Sequence, residues 1–215
     1  LPVARIELLD EVMVKATNSY AKLDLPETPL LLLEFHGTEA SVVEQAGVFG
    51  ALSEEHGGNG YQATTTTEER NRLWKARHDA YWAMLQYRPG ARGVATDVCV
   101  PISRLAECVN AAQARAAELD LVVPIIGHVG DGNFHATPLV NMSDTGEVAR
   151  TAEFISWLND LAISMDGTCT GEHGIGQGKM PYLRRELGDA VDFMAQIKTA
   201  LDPKGILNPG KIFKG

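Results

Sequence analysis

The chain has 215 residues, 45% of them apolar, and its 28 acidic against 19 basic side chains leave a formal net charge of -9. That length and apolar content support a real hydrophobic core, whereas the acidic balance argues against phosphate backbones or anionic lipid as partners, since Lys and Arg hold those. The longest strongly apolar run, Leu30 to Leu33, falls far short of the roughly 20 residues that cross a bilayer, and no signal-peptide pattern opens the chain. A soluble protein with no nucleic-acid partner and no membrane insertion is expected.

The sequence starts at Leu1 and already reads as strand through Glu7, so a piece of a longer protein is expected. A strand at Arg5–Leu9 leads into a helix from about Asp10 to Leu23, then a strand at Leu30–His36 and a helix from Thr38, as N-cap, to Glu55. The break Gly57-Gly58-Asn59-Gly60 precedes a short strand near Tyr61–Thr64, and the threonine run caps a helix from about Glu68 to Leu85. On that helix Trp74, Arg77 and Tyr81 recur at i, i+3, i+7, which sets an arginine beside two aromatics. Next come a strand at Ala95–Pro101, a helix capped by Ser103 and ending near Leu119, and strands at Val122–Gly127 and Phe134–Val140. Helices at about Gly146–Met165 and Pro181–Leu201 precede a turn-rich tail from Asp202 to Lys211. Strands separated by helices, without regular crossover lengths, predict an α+β domain with a mainly antiparallel, ferredoxin-like sheet covered on one face by helices.

Two glycine-rich runs concentrate the reactive side chains: Gly127-His128-Val129-Gly130-Asp131-Gly132-Asn133-Phe134-His135 and Gly171-Glu172-His173-Gly174-Ile175-Gly176. Such segments make poor helix and poor core, which is where a polar site is expected. Two imidazoles and a carboxylate suit a divalent first-row metal and leave positions open for water or substrate. His128 and His135 would face opposite ways on one straight strand, but a turn at Gly130–Gly132 can fold them together, with Asp131 or Asn133 satisfying the turn or orienting a ligand. Unrelated hydrogen-bonded side chains account for the same spacing. Glu172 and His173 can split the roles of ligand and base, or stand solvated in a glycine loop. Arg77 offers a bidentate clamp for a carboxylate, or a surface pair with Glu69. Cys99, Cys108 and Cys169 lack C-x-x-C spacing and read as ordinary thiols of a reducing compartment, with Cys169 nearest the second run. His36, His56 and His78 carry no spacing argument.

Several motifs occur in one order: Pro2-Val3-Ala4-Arg5-Ile6-Glu7, Leu33-Glu34-Phe35-His36-Gly37, Trp74-Lys75-Ala76-Arg77-His78, Thr96-Asp97-Val98-Cys99-Val100-Pro101, both glycine-histidine runs, and Asp202-Pro203 through Asn208-Pro209-Gly210-Lys211. Together they resemble the C-terminal domain of the FAD-linked oxidases, flavoproteins of the vanillyl-alcohol oxidase type. Among these the cytochrome-linked D-lactate dehydrogenases and the glycolate oxidase subunit are the most similar. The resemblance implies that residues 1–215 form the cap over the isoalloxazine ring, while an N-terminal domain outside this chain carries most of the FAD contacts. It implies that His128, His135 and Glu172 hold a divalent Zn or Mn, that His173 is the base, and that Arg77 binds the substrate carboxylate. Asn208 would lie in a tail that runs back toward the flavin.

The implied partners are a small D-2-hydroxy acid and an electron acceptor such as a cytochrome, a quinone or an electron-transfer flavoprotein. A homodimer is allowed, and the implied location is mitochondrial or bacterial cytoplasmic, with peripheral membrane contact allowed. Relatives acting on 2-hydroxyglutarate carry a lysine where this chain has Ala95, which favours D-lactate or glycolate unless Arg92 substitutes. The chain alone is expected to fold without catalysing. Readings of other classes are a regulatory or oligomerisation module with a vestigial site and metal-dependent hydrolysis.

Overall fold

The computed structural model describes residues 1–213. In chain order the elements are β1 (Val3–Leu9), α1 (Glu11–Ala21), β2 (Leu30–Phe35), α2 (Glu39–Glu55), α3 (Thr67–His78), α4 (Ala80–Tyr87), β3 (Arg92–Gly93) and β4 (Val98–Cys99). There follow α5 (Ile102–Glu118), β5 (Ile125–Gly127), β6 (Asn133–Ala136), β7 (Leu139–Val140), α6 (Thr145–Ser164), α7 (Met180–Leu187) and α8 (Ala190–Leu201). Five strands form one antiparallel sheet in the order β2-β1-β5-β6-β4, and β3 pairs with β7 in a separate ribbon.

Side-chain caps set several helix starts. The Asp10 carboxylate accepts from Met13 N at 2.9 Å, and Thr38, Thr66 and Asp144 act likewise for α2, α3 and α6. Elsewhere the elements differ from the sequence expectation. The helix expected over 68–85 breaks at Asp79 into α3 and α4, because α4 turns to bury Ala80, Ala83 and Met84 against α1. Trp74 and Tyr81 therefore part: the Arg5 guanidinium stacks over Trp74 at 4.4 Å, and Tyr81 packs on Trp82. The expected strand 134–140 divides at Pro138, which has no N–H for a ladder, and the expected helix 181–201 divides at Gly188, φ 53°. Ser103 is no cap, since α5 starts at Ile102 directly after Pro101. Tyr61–Thr64 is not a strand; Tyr61 packs its ring on Phe49 at 5.6 Å instead.

Alternation along the strands sorts side chains into two cores. Val98, Ile125, Phe134 and Ala136 face α5 and α6, where Phe154 and Leu158 are fully buried. Leu9 and Ile126 face the other way, toward Met13 and Val14 of α1 and Met84 of α4. Helices thus pack on both faces of the antiparallel sheet, where one was expected. Each fully buried Phe or Leu contributes ~1.5–3 kcal/mol, so these cores hold the frame rigid. The pairings Leu9↔Ile126 and Ile126↔His135 run across the second face, and Glu7 lies two residues along β1 from Leu9 on the same face. That face is apolar under α1 and α4 and turns polar beyond them.

Glu147, buried in the first turn of α6, ties the α4 end to this frame. Arg88 Nη2 donates to its Oε2 at 3.1 Å, while Nη1 reaches both Oε1 and the Leu139 carbonyl. The Arg88 contact outweighs burial and holds the Glu147 carboxyl below the ordinary glutamate value of 4.5. A depressed carboxyl contributes stability above its unfolded value and loses it as pH falls toward the folded one. Arg88 is 35% exposed at the side chain, so Arg88→Met is expected to cost about 2 kcal/mol at neutral pH. Urea melts should show that gap closing as pH drops below about 4.5.

Candidate active site

The turn between β5 and β6 brings the first two imidazoles together. Asp131 N donates to the His128 carbonyl at 3.0 Å, and Gly132 sits at φ 78° where a Cβ would stand 2.1 Å from the Val100 carbonyl oxygen. Only glycine satisfies both constraints. His128 and His135 end with ring centroids 6.0 Å apart and planes at 88°.

The second run is delivered from the neighbouring edge. Cys99 and Thr168 exchange backbone hydrogen bonds of 3.1 and 2.8 Å, and Gly171 then approaches so closely that a Cβ would lie 1.9 Å from Asn133 Nδ2. The receptor for this loop is Asp97, whose side chain is wholly buried. Its oxygens accept from His173 N at 2.8 Å, Thr170 Oγ1 at 2.9 Å, Asn133 Nδ2 at 3.0 Å, Glu172 N at 3.1 Å and Lys179 Nζ at 3.2 Å. Burial pushes this carboxyl up, but those donors and the Lys179 charge together pull it well below the usual aspartate range. Asp97 is therefore an ionised anchor under the Glu172-His173 peptide.

Three ring nitrogens surround one carboxylate oxygen. Glu172 Oε1 lies 2.9 Å from His135 Nε2, 3.5 Å from His173 Nε2 and 3.9 Å from His128 Nε2, and the His173 ring stacks on His135 at 5.0 Å. The opposite nitrogens decide the tautomers. His135 Nδ1 is 3.0 Å from the Thr96 carbonyl oxygen, which only accepts, and His128 Nδ1 is 2.7 Å from Glu7 Oε1. Both Nδ1 atoms then carry hydrogen, and both Nε2 lone pairs face an anionic oxygen. That juxtaposition repels unless a proton or a cation lies between. Burial pushes His135 below the ordinary imidazole value, which disfavours the proton. His135 and Glu172 are therefore suited to share a divalent cation, with the Thr96 carbonyl as an outer partner, whereas His128, the other ligand expected from the sequence, stands further off, its Nε2 3.9 Å from Glu172 Oε1 and its Nδ1 on Glu7. The ligand atoms that all fall within 4.8 Å of one another are those of Asp97, His135, Glu172 and His173, a group that does not include His128; within it the Asp97 oxygens are already filled by five donors.

Arg77 lies beside this cluster. Its Nε donates to Glu7 Oε2 at 2.9 Å, whereas Glu69 is engaged by Thr66 at 2.9 Å, so the surface pair with Glu69 does not form. Arg77 lines a cleft of about 410 Å³ with Arg5, Glu7, Trp74, His128 and Asp131. Arg92 lines a separate, mainly apolar cavity with Val140, Met142 and Ile155. Asn208 stands exposed on the tail, outside the histidine cluster, but that tail returns to the site loop where Ile212 N donates to the Gly176 carbonyl at 2.8 Å. Cys169 is buried, and burial pushes its thiol up to about 11, which keeps it protonated and out of the ligand set. His36, His56 and His78 are exposed. Glu7, Asp97 and Lys179 were not singled out as site residues from the sequence; the one available signal was an acid set against apolar neighbours, in Ile6-Glu7-Leu8 and in Asp97-Val98.

A family model described as FAD linked oxidases, C-terminal domain, matches residues 1–212. The chain belongs to this family. A "Probable D-lactate dehydrogenase, mitochondrial" of Danio rerio is 46% identical over 215 residues, all of this chain and 43% of that protein. The "D-lactate dehydrogenase [cytochrome], mitochondrial" of Arabidopsis thaliana is 42% identical over 99% of this chain and 38% of its own length. The glycolate oxidase subunit GlcD of Bacillus subtilis is 34% identical over 98% of this chain and 45% of its own length. This FAD-linked oxidase domain thus spans less than half of the curated relatives it matches. A solved 4-ethylphenol oxidase from Gulosibacter chungangensis, in its isoeugenol complex, superposes with a TM-score of 0.68 over 97% of this chain and 47% of that one at 14% identity, which is a likeness of fold. Among the described residues no helix is long and apolar enough to cross a membrane.

Asp97→Asn turns an amide N–H toward backbone N–H groups of the site loop and leaves Lys179 without its anion. The expected cost is about 3 kcal/mol. Hydrogen exchange should show the amides of Glu172 and His173 losing protection before those of the β5–β6 hairpin.

Proposed function

We propose that this domain is the substrate- and metal-binding half of an FAD-dependent D-2-hydroxy acid dehydrogenase that oxidises D-lactate to pyruvate, with glycolate as the alternative substrate. The observation that carries this reading is the convergence of His128, His135 and His173 on Glu172 Oε1 beside Arg77. The names of relatives at 37–46% identity support it, as does the open side of the cluster, where His173 and Glu172 are about half exposed and suit the flat face of a flavin ring. The word cytochrome in two of those names supports a cytochrome as electron acceptor, and the word mitochondrial supports that location.

His128, His135 and Glu172 would hold a divalent ion, which would lower the pKa of the substrate hydroxyl, and FAD, held mainly by another domain, would supply the hydride acceptor. The remaining work belongs to side chains. Arg77 spends its Nε edge on Glu7, so its Nη edge is available for a bidentate contact with the substrate carboxylate. His173 takes the hydroxyl proton at Nε2, and stacking on His135 restrains the ring that does so. Ala95 leaves a second carboxylate without a cation, which favours a monocarboxylate.

Anaerobic D-lactate should bleach the flavin of the complete, metal-loaded enzyme; a flavin left oxidised by both D-lactate and glycolate would sink this reading. His173→Asn should slow bleaching by roughly 10²–10⁴-fold with metal content unchanged. Arg77→Lys, which loses the fork geometry, should act mainly by raising KM about tenfold.

A further inference from the structure

A single buried carboxylate joins the two halves of the site. Glu7 is 3% exposed on β1, between Ile6 and Leu8, whose side chains pack into the opposite core. The pairing Leu8↔Gly127 sets Glu7 beside His128, one residue past the end of β5. A buried acid is costly to desolvate and is tolerated where its oxygens are matched. Here each oxygen has one charged or ring partner: Oε1 meets His128 Nδ1 at 2.7 Å and Oε2 accepts from Arg77 Nε at 2.9 Å. The partners come from chain positions 121 and 70 residues away.

We propose that Glu7 is the positioning residue that locks the metal-ligand His128 and the substrate arginine Arg77 into one frame. The inference rests on the roles given above to His128 and Arg77. An ionised carboxylate oxygen only accepts, so Oε1 fixes the His128 hydrogen on Nδ1 and frees Nε2 to face Glu172. Oε2 occupies the Nε edge of the guanidinium and leaves the Nη edge for the substrate carboxylate. One rigid group thereby decides which edge of each partner faces the chemistry. A plain core ion pair would need Arg77 alone. The link to His128 makes Glu7 a shared strut whose loss disturbs ion and substrate together.

Glu7→Gln tests this, because one amide has one acceptor and one donor end and cannot satisfy His128 Nδ1–H and Arg77 Nε–H at once. In the complete enzyme three readouts are expected to move. Nitrogen-15 NMR of metal-free protein should show His128 changing from one tautomer to a mixture. Mn²⁺ affinity should fall by 10–100-fold, and KM for D-lactate should rise about tenfold. Glu7→Asp keeps the charge but is shorter by about 1.5 Å and should disturb the same readouts, which covers the case in which the glutamine variant does not fold. Variants that melt earlier with His128 tautomer, Mn²⁺ affinity and KM all unchanged would overturn the proposal and leave Glu7 a structural pair. A wild-type enzyme with no Mn²⁺ affinity would instead defeat the metal reading of His128, which separates the two failures.

Discussion

The site depends on the buried Asp97 carboxylate and the donors it collects. A wholly buried charge is unfavourable unless its lone pairs are filled, and Asp97 fills them with the backbone N–H groups of Glu172 and His173, the Thr170 hydroxyl, the Asn133 amide and the Lys179 ammonium. Those donors come from β6 and from the glycine loop after α6, so one anion holds the loop to the sheet. Without that anchor the stretch Gly171–Gly176 has no reason to hold the Glu172 carboxylate 2.9 Å from His135 Nε2 and the His173 ring stacked on His135 at 5.0 Å.

The two faces of the sheet divide the labour. One face, through Phe134, Ile125 and Val98, is packed by α5 and α6 and sets the positions of the strands. The other carries Glu7, Asp97, Asn133 and His135 at alternate positions on β1, on and just before β4, and on β6. Because a strand's side chains alternate strictly, burying Phe134 toward α6 obliges His135 to face the site. The rigidity of the apolar face is what holds the polar side chains of the other face in fixed positions.

Much of this was legible in the chain. The two glycine-histidine runs mark the cluster of His128, His135, Glu172 and His173 because the close turns they need are incompatible with helix or core, and Thr38 marks the start of α2 by its own capping chemistry. What escaped has a common cause. Glu7 and Asp97 matter through partners 70 to 121 and 36 to 82 residues away, and no local periodicity reports such contacts. The division of 68–85 at Asp79 likewise follows from packing of α4 on α1, a tertiary demand that overrode a good helical pattern. Arg77 is a mixed case: its position on a helix was readable, but its partner is Glu7 across the fold and not Glu69 one helical segment away.

The central claim is that His128 Nε2, His135 Nε2 and the Glu172 carboxylate hold one divalent cation. Anomalous diffraction from crystals of the complete enzyme loaded with Zn²⁺ or Mn²⁺ tests it directly. The account predicts a peak within about 2.0–2.2 Å of those three groups, with both Nδ1 atoms still bonded to Glu7 and the Thr96 carbonyl. An ion ligated by Asp97, or no ion within reach of His128, would contradict it.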